Sequence, residues 1–175
     1  DDGGNERAQG DLASFNGKVM RLNPDGTTPA DQAGATPVLA TGFRSPRGLG
    51  WSPDGSVLWV CDARADGSER LTPVAVTGTR PMRARARAPF GLPAPFGIGG
   101  AASYATSGVR QFEGNLFVGA EAGRYLLRVR TDPADPLTVI STERLLEDRV
   151  GGIRAVTVGA SGAIYVSTSD TLARI

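Results

Sequence analysis

The 175 residues carry 19 Lys and Arg against 18 Asp and Glu, a formal net charge of +1, so overall charge selects neither a nucleic-acid nor a membrane-surface partner. Histidine is absent and cysteine occurs once, at Cys61. Histidine bases, Ser-His-Asp and Cys-His arrangements, imidazole zinc sites, an internal disulfide and multi-cysteine metal sites are therefore all excluded.

An apolar fraction of 40% with 24 Gly and 12 Pro suits a turn-rich all-β chain of one domain. Residues 1–16 are polar and glycine-rich and read as a loop or the end of a preceding blade. Gly17 to Leu22 reads as a strand closed by the turn Asn23-Pro24-Asp25-Gly26, and residues 27–36 as a polar loop. Val38 to Gly42 leads into a loop carrying Arg44. A hairpin follows: Leu49 and Trp51 alternate with glycines, Pro53-Asp54-Gly55 turns the chain, and Val57-Leu58-Trp59-Val60 is a continuous apolar run. Proline presets φ and glycine accepts φ > 0 in such a turn, and an unbroken apolar run predicts a strand buried on both faces. Cys61, directly after it, reads as a packed thiol.

Residues 62–70 read as a charged loop in which Asp66 and Glu69 are solvated. Between 77 and 89 arginine alternates with alanine, which reads as a solvated edge strand or mobile loop rather than an anionic-ligand or nucleic-acid patch. Ala101 to Arg130 forms the next unit, with Phe117 on its aromatic strand and a polar turn at 131–136. Ser141 to Val150 is the best short helical candidate, and Val150 to Ser167 holds a last hairpin.

Two phrases recur. Gly114-Asn115-Leu116-Phe117-Val118 and Gly162-Ala163-Ile164-Tyr165-Val166 repeat the turn-glycine, aliphatic, aromatic, valine order of Gly55 to Val60. The strands containing Arg21, Arg128 and Arg174 repeat an arginine at the third position, read as cross-strand pairing. Self-similarity at a spacing of about 40–50 residues, in strands alone, predicts propeller blades. No stretch approaches the ~20 apolar residues of a membrane span, and no signal peptide is visible.

Several phrases together resemble the soluble PQQ-dependent aldose dehydrogenases, the glucose/sorbosone dehydrogenase family. They are Gly17-Lys18-Val19-Met20-Arg21-Leu22-Asn23-Pro24-Asp25-Gly26, Gly42-Phe43-Arg44-Ser45-Pro46-Arg47-Gly48-Leu49, Leu58-Trp59-Val60-Cys61-Asp62, Thr142-Glu143-Arg144-Leu145-Leu146 and Ile153-Arg154-Ala155-Val156. The resemblance implies an all-β, six-bladed propeller, of which residues 1–175 would be a partial domain of about three blades, with the N-terminal half absent. It implies a periplasmic or secreted protein oxidising an aldose at its anomeric carbon, with hydride passing to PQQ held near calcium. Arg44 and Arg154 are similar to cofactor-contacting arginines of that family; guanidinium suits the three carboxylates of PQQ.

The sequence departs from the family at identifiable positions. Ser45 stands for asparagine, Ala63 for histidine, Arg64-Ala65 for the Gly-Pro whose carbonyls help hold calcium, and Arg70 for glutamate. The cofactor-contacting lysine would fall near Glu121 or Ala122, and Gly152 replaces a further arginine. No catalytic residue and no metal ligand is assigned in this chain. The alternative reading is a non-catalytic propeller-type binding module with a degraded cofactor site. Arg44 could also pair with Asp62 across the blade. The expected partners are a small sugar, PQQ, and either the missing half or a second copy; a lactonase-like hydrolase would need a carboxylate-lined metal site, and none is visible.

Overall fold

The computed structural model describes residues 1–76, 82–83 and 88–175, with Ala33 and residues 82–83 described by their backbone alone. The arginine–alanine alternation falls mostly outside the described residues. β1 (Lys18–Met20) and β2 (Val38–Thr41) pair antiparallel. β3 (Ser45–Trp51), β4 (Val57–Ala63) and β5 (Glu69–Ala75) form a meander. β6 (Met82–Arg83) returns to lie parallel to β2, while β7 (Phe90–Gly91) adds to the edge of β5. β8 (Ile98–Ser103), β9 (Leu116–Ala120), β10 (Tyr125–Thr131) and β11 (Val139–Leu145) make the third sheet in simple succession. β12 (Ala155–Val158), β13 (Ile164–Ser167) and β14 (Leu172–Arg174) make the fourth. The fold is an all-β propeller. Two four-stranded blades are flanked by two three-stranded sheets, where the sequence predicts about three blades.

The blades pack face to face, and the sequence dictates this. On β4, Val57, Trp59 and Cys61 enter the apolar seam shared with the third sheet, while Leu58 and Val60 enter the seam shared with β1 and β2. On β9 and β10, Leu116, Val118, Tyr125 and Leu127 face the second sheet, and Phe117 and Leu126 face the fourth. Side chains alternate across a strand, so a continuous apolar run is what a doubly covered strand requires. Each fully buried Val, Leu or Phe contributes on the order of 1.5–3 kcal/mol, which makes these seams the dominant stabilising element. The buried Tyr104 hydroxyl adds a polar tie between the third and fourth sheets: it donates to the Gly162 carbonyl and accepts the Val109 N–H, each at 2.8 Å.

Toward the axis the blades wedge together. β3, β8 and β12 are the innermost strands, each beside the next. A Cβ built on Gly99 would lie 2.0 Å from the Ile153 carbonyl oxygen, and one on Gly50 would lie 2.2 Å from a Leu116 methyl. Only glycine permits backbone and side chain to approach so closely.

The turns follow their chemistry. The Asp54 carboxylate accepts the Ser52 hydroxyl at 2.5 Å and the Ser56 hydroxyl and N–H at 2.8 and 3.1 Å. These bonds hold its pKa down to about 2. Arg128 pairs with Glu143 across β10 and β11 at 3.0 Å, the cross-strand role expected of it. The helical candidate at Ser141 to Val150 is corrected: its first half is β11, the outer strand of its blade. Leu146 and Asp148 then adopt φ of 58° and 54°, a left-handed backbone that ends any helix. No helix among the described residues is long and apolar enough to cross a membrane.

Gly99→Ala is expected to cost about 1–3 kcal/mol, because backbone rather than a flexible side chain must move. Gly10→Ala, with nothing within 4 Å of its built Cβ, should be near neutral. Urea denaturation of both variants checks this; equal midpoints would refute the wedge.

Candidate functional site

The three innermost strands begin at one end of the molecule. A Cβ on Gly48 would lie 3.1 Å from Ala101 Cβ, and one on Gly99 2.9 Å from Arg154 Cα. Further along, Gly50 likewise meets Ser103 and Gly100 meets Ala155, so β3, β8 and β12 run side by side in the same direction. Ser45 pairs with Ala63, Ile98 with Ala120 and Ala155 with Ser167, so each second strand ends where its inner strand starts. The resulting rim collects Arg44, Asp62, Arg64, Glu69, Glu121 and Arg154.

Asp62 organises the first part of this rim. It is fully buried, and its Oδ1 accepts the backbone N–H groups of Arg44 at 3.0 Å and Ser45 at 2.7 Å. Its Oδ2 accepts Arg64 Nη1 at 3.2 Å, with Arg70 Nη2 at 3.7 Å. The expected Arg44–Asp62 contact thus exists, but through the Arg44 main chain. The Arg44 side chain is half-buried and, among the described residues, hydrogen-bonds only to the Arg64 carbonyl, at 3.5 Å. Such a long contact leaves its donors available. Arg64 Nη1 reaches back to the Gly42 carbonyl at 3.3 Å, so the two loops clasp one another.

The N-terminal segment buttresses the same loop. Asp2 N–H donates to the Arg44 carbonyl at 2.8 Å, Gly42 N–H to Gln9 at 3.0 Å and Phe43 N–H to Gly17 at 3.2 Å. The Asp2 carboxylate accepts Gln9 Nε2 at 2.7 Å. That bond first, then the Gly4 amide and the Arg44 charge, holds the Asp2 carboxyl below its usual range against the opposing effect of burial.

Glu69 differs from its expected role as a solvated loop charge. Its two oxygens accept the N–H groups of Gly97 at 2.7 Å and Ile98 at 2.9 Å, capping the start of β8 as Asp62 caps β3. Asp66 behaves as expected, closing its turn through Ser68. At the third inner strand Arg154 Nε donates to Glu121 Oε1 at 2.8 Å, with both side chains about half exposed. Arg44 and Arg154 therefore share the rim but stand two blades apart, with the start of β8 between them.

The donor chemistry fits a polyanionic cofactor. Among the described residues Arg44 makes only its long contact to the Arg64 carbonyl, and Arg154 keeps both Nη groups as donors beyond its single Nε contact. A calcium ion fits poorly. The Asp62 and Glu69 oxygens already accept amides and a guanidinium, and the Arg64 carbonyl accepts the Gly67 N–H at 3.2 Å, while the Arg64 N–H donates to the Ser68 carbonyl at 2.8 Å. Among the described residues no three His, Cys, Asp or Glu side chains are grouped to hold a metal.

The sequence matches the glucose/sorbosone dehydrogenase family over residues 1–79 and 77–175. No curated protein matches it. Among solved structures it superposes on a glucose dehydrogenase with a TM-score of 0.80 at 26% identity, covering 99% of this chain and 55% of that one. An oxidoreductase of Thermus thermophilus, described as a glucose dehydrogenase, gives 0.72 at 28% identity, covering 97% and 54%. The PQQ-bound aldose sugar dehydrogenase of Streptomyces coelicolor gives 0.72 at 20% identity, covering 97% and 51%, a likeness of fold alone. The chain spans about half the length of these structures.

Cys61 lies at this end of β4 but is fully buried. Burial first, then the charges of Glu69 and Asp62, pushes its thiol pKa up. A protonated, covered thiol is no nucleophile. It should resist a maleimide at a pH of about 8 in the native protein and react fully after denaturation, as mass spectrometry would read. Fast native labelling would contradict this packing.

Proposed function

Because the chain belongs to the glucose/sorbosone dehydrogenase family, we propose that its rim contributes the cofactor-binding half of a PQQ-dependent aldose dehydrogenase. The observation that carries this reading is Arg44: a half-buried guanidinium at the start of an inner strand, fixed through its backbone by Asp62 and, among the described residues, with no side-chain contact but the long one to the Arg64 carbonyl. When bound, PQQ would supply the hydride acceptor for oxidation of an aldose at its anomeric carbon. Arg44 would hold a carboxylate or quinone oxygen by charge-assisted hydrogen bonds. Arg154 would hold a second acidic group, with Glu121 keeping its guanidinium oriented across the start of β12.

No residue of this chain takes the substrate proton in this reading. Histidine is absent, and Asp62 and Glu69 spend their oxygens on backbone amides. The base would come from blades outside this chain. The second reading, a binding module without redox chemistry, is favoured by the guanidiniums of Arg64 and Arg70 in the loop that the resemblance assigns to calcium.

Titration of the purified chain with PQQ, followed by calorimetry, separates the two. Saturable binding that Arg44→Ala weakens about tenfold or more supports the cofactor reading, since a charged hydrogen bond is typically worth about 1.5–3 kcal/mol. A folded chain that binds no PQQ would leave the binding-module reading.

The propeller also presents uncovered seams. Leu49 and Trp51 on β3 are 50% and 47% exposed, and Met20, Leu22, Leu172 and Ile175 are exposed as well. We propose that further blades of a longer chain, or a second copy, cover them. Light scattering after size exclusion is expected to find the isolated chain associated; a monodisperse monomer with one cooperative unfolding transition would sink this proposal.

A further inference from the structure

The strongest unexplained feature is the charge arrangement where the family resemblance would put a divalent cation. Calcium takes about six to eight oxygen ligands at about 2.3–2.6 Å. Here Asp62 Oδ1 serves two amides, Asp62 Oδ2 serves Arg64, both Glu69 oxygens serve amides, and the Gly42 carbonyl receives Arg64 Nη1. The Arg64 side chain is only 11% exposed and that of Asp62 not at all. A second guanidinium, Arg70, stands 3.7 Å from the same carboxylate. A divalent cation entering this loop would meet fixed positive charge beside oxygens that already accept hydrogen bonds.

We infer that the Arg64 guanidinium, seated on buried Asp62, takes over the electrostatic role of the metal, so that the rim excludes calcium and binds a carboxylate-bearing ligand without it. The inference rests on the reading of the rim as a polyanion site and deepens it. Three observations converge. Arg64 is anchored twice, to Asp62 and to the Gly42 carbonyl, so its charge is pre-positioned. Its own carbonyl lies 3.5 Å from Arg44 Nη1, which places the pseudo-metal beside the proposed cofactor arginine. The 64–68 turn is closed on itself by the Gly67 N–H bond to that carbonyl and by the Arg64 N–H bond to the Ser68 carbonyl, so both of those main-chain oxygens already accept internal hydrogen bonds.

The test uses the full chain. Calcium alone is titrated by calorimetry, and PQQ is titrated separately in EGTA and in millimolar calcium. The expected results are no calcium binding up to millimolar, the same PQQ Kd in both buffers, and a Kd raised about tenfold by Arg64→Gln in both. Arg64→Lys, which keeps the charge but not the fork, should fall between and guards against a folding defect. Calcium binding to the wild-type chain, or a roughly tenfold tightening of PQQ by calcium, would overturn the inference. So would Arg64→Gln leaving the Kd unchanged. Absence of PQQ binding in both buffers would overturn the cofactor reading instead, and the calcium titration, made without PQQ, tells the two failures apart.

Discussion

A carboxylate with no access to water fixes the working end of this molecule. Asp62 is tolerated in the interior because every part of it is answered: two amides at one oxygen, a guanidinium at the other. An uncompensated buried charge would cost several kcal/mol, so the 42–45 loop, the 62–68 loop and the N-terminal segment are held in the single arrangement that satisfies it. Glu69 repeats the device one blade further on. The first amides of an inner strand lack a ladder partner on their open side, and an acid from a neighbouring strand supplies one.

Much of the scaffold was legible because burial on two faces leaves an unmistakable trace. Val57 to Val60, Leu116 to Val118 and Ile164 to Val166 are apolar without interruption and each is a second strand; the first two are buried on both faces, whereas on the third Ile164 and Val166 are buried and Tyr165 is half-buried. The outer strand Val139–Leu145 escaped because it faces solvent over most of its length. Its Thr, Glu and Arg residues carry no alternating apolar signal, and Leu145 with Leu146 mimics one turn of an apolar helical face.

The rim was legible in part. Arg44 and Arg154 stand at the starts of inner strands, where the loop-then-strand pattern pointed. What they touch was hidden. Arg154 meets Glu121 across 33 residues, and Glu69 caps amides 28 and 29 residues away. A main-chain amide has no sequence signature, so an acid spent on one looks like any solvated acid. Arg64, too, reads as a loop charge until its contact with Asp62 is seen.

The glycines of the wedge set what can be changed in this protein. Near the axis, peptide groups of one blade touch those of the next, so the width of the centre is determined by main chain and not by side-chain choice. Substitutions there cannot enlarge or reshape a cavity gradually; they can only push blades apart. Any retuning of ligand preference, by selection or by design, is therefore confined to the rim loops, where residues such as Ser45, Ala63 and Arg64 can change while the blades themselves stay as they are.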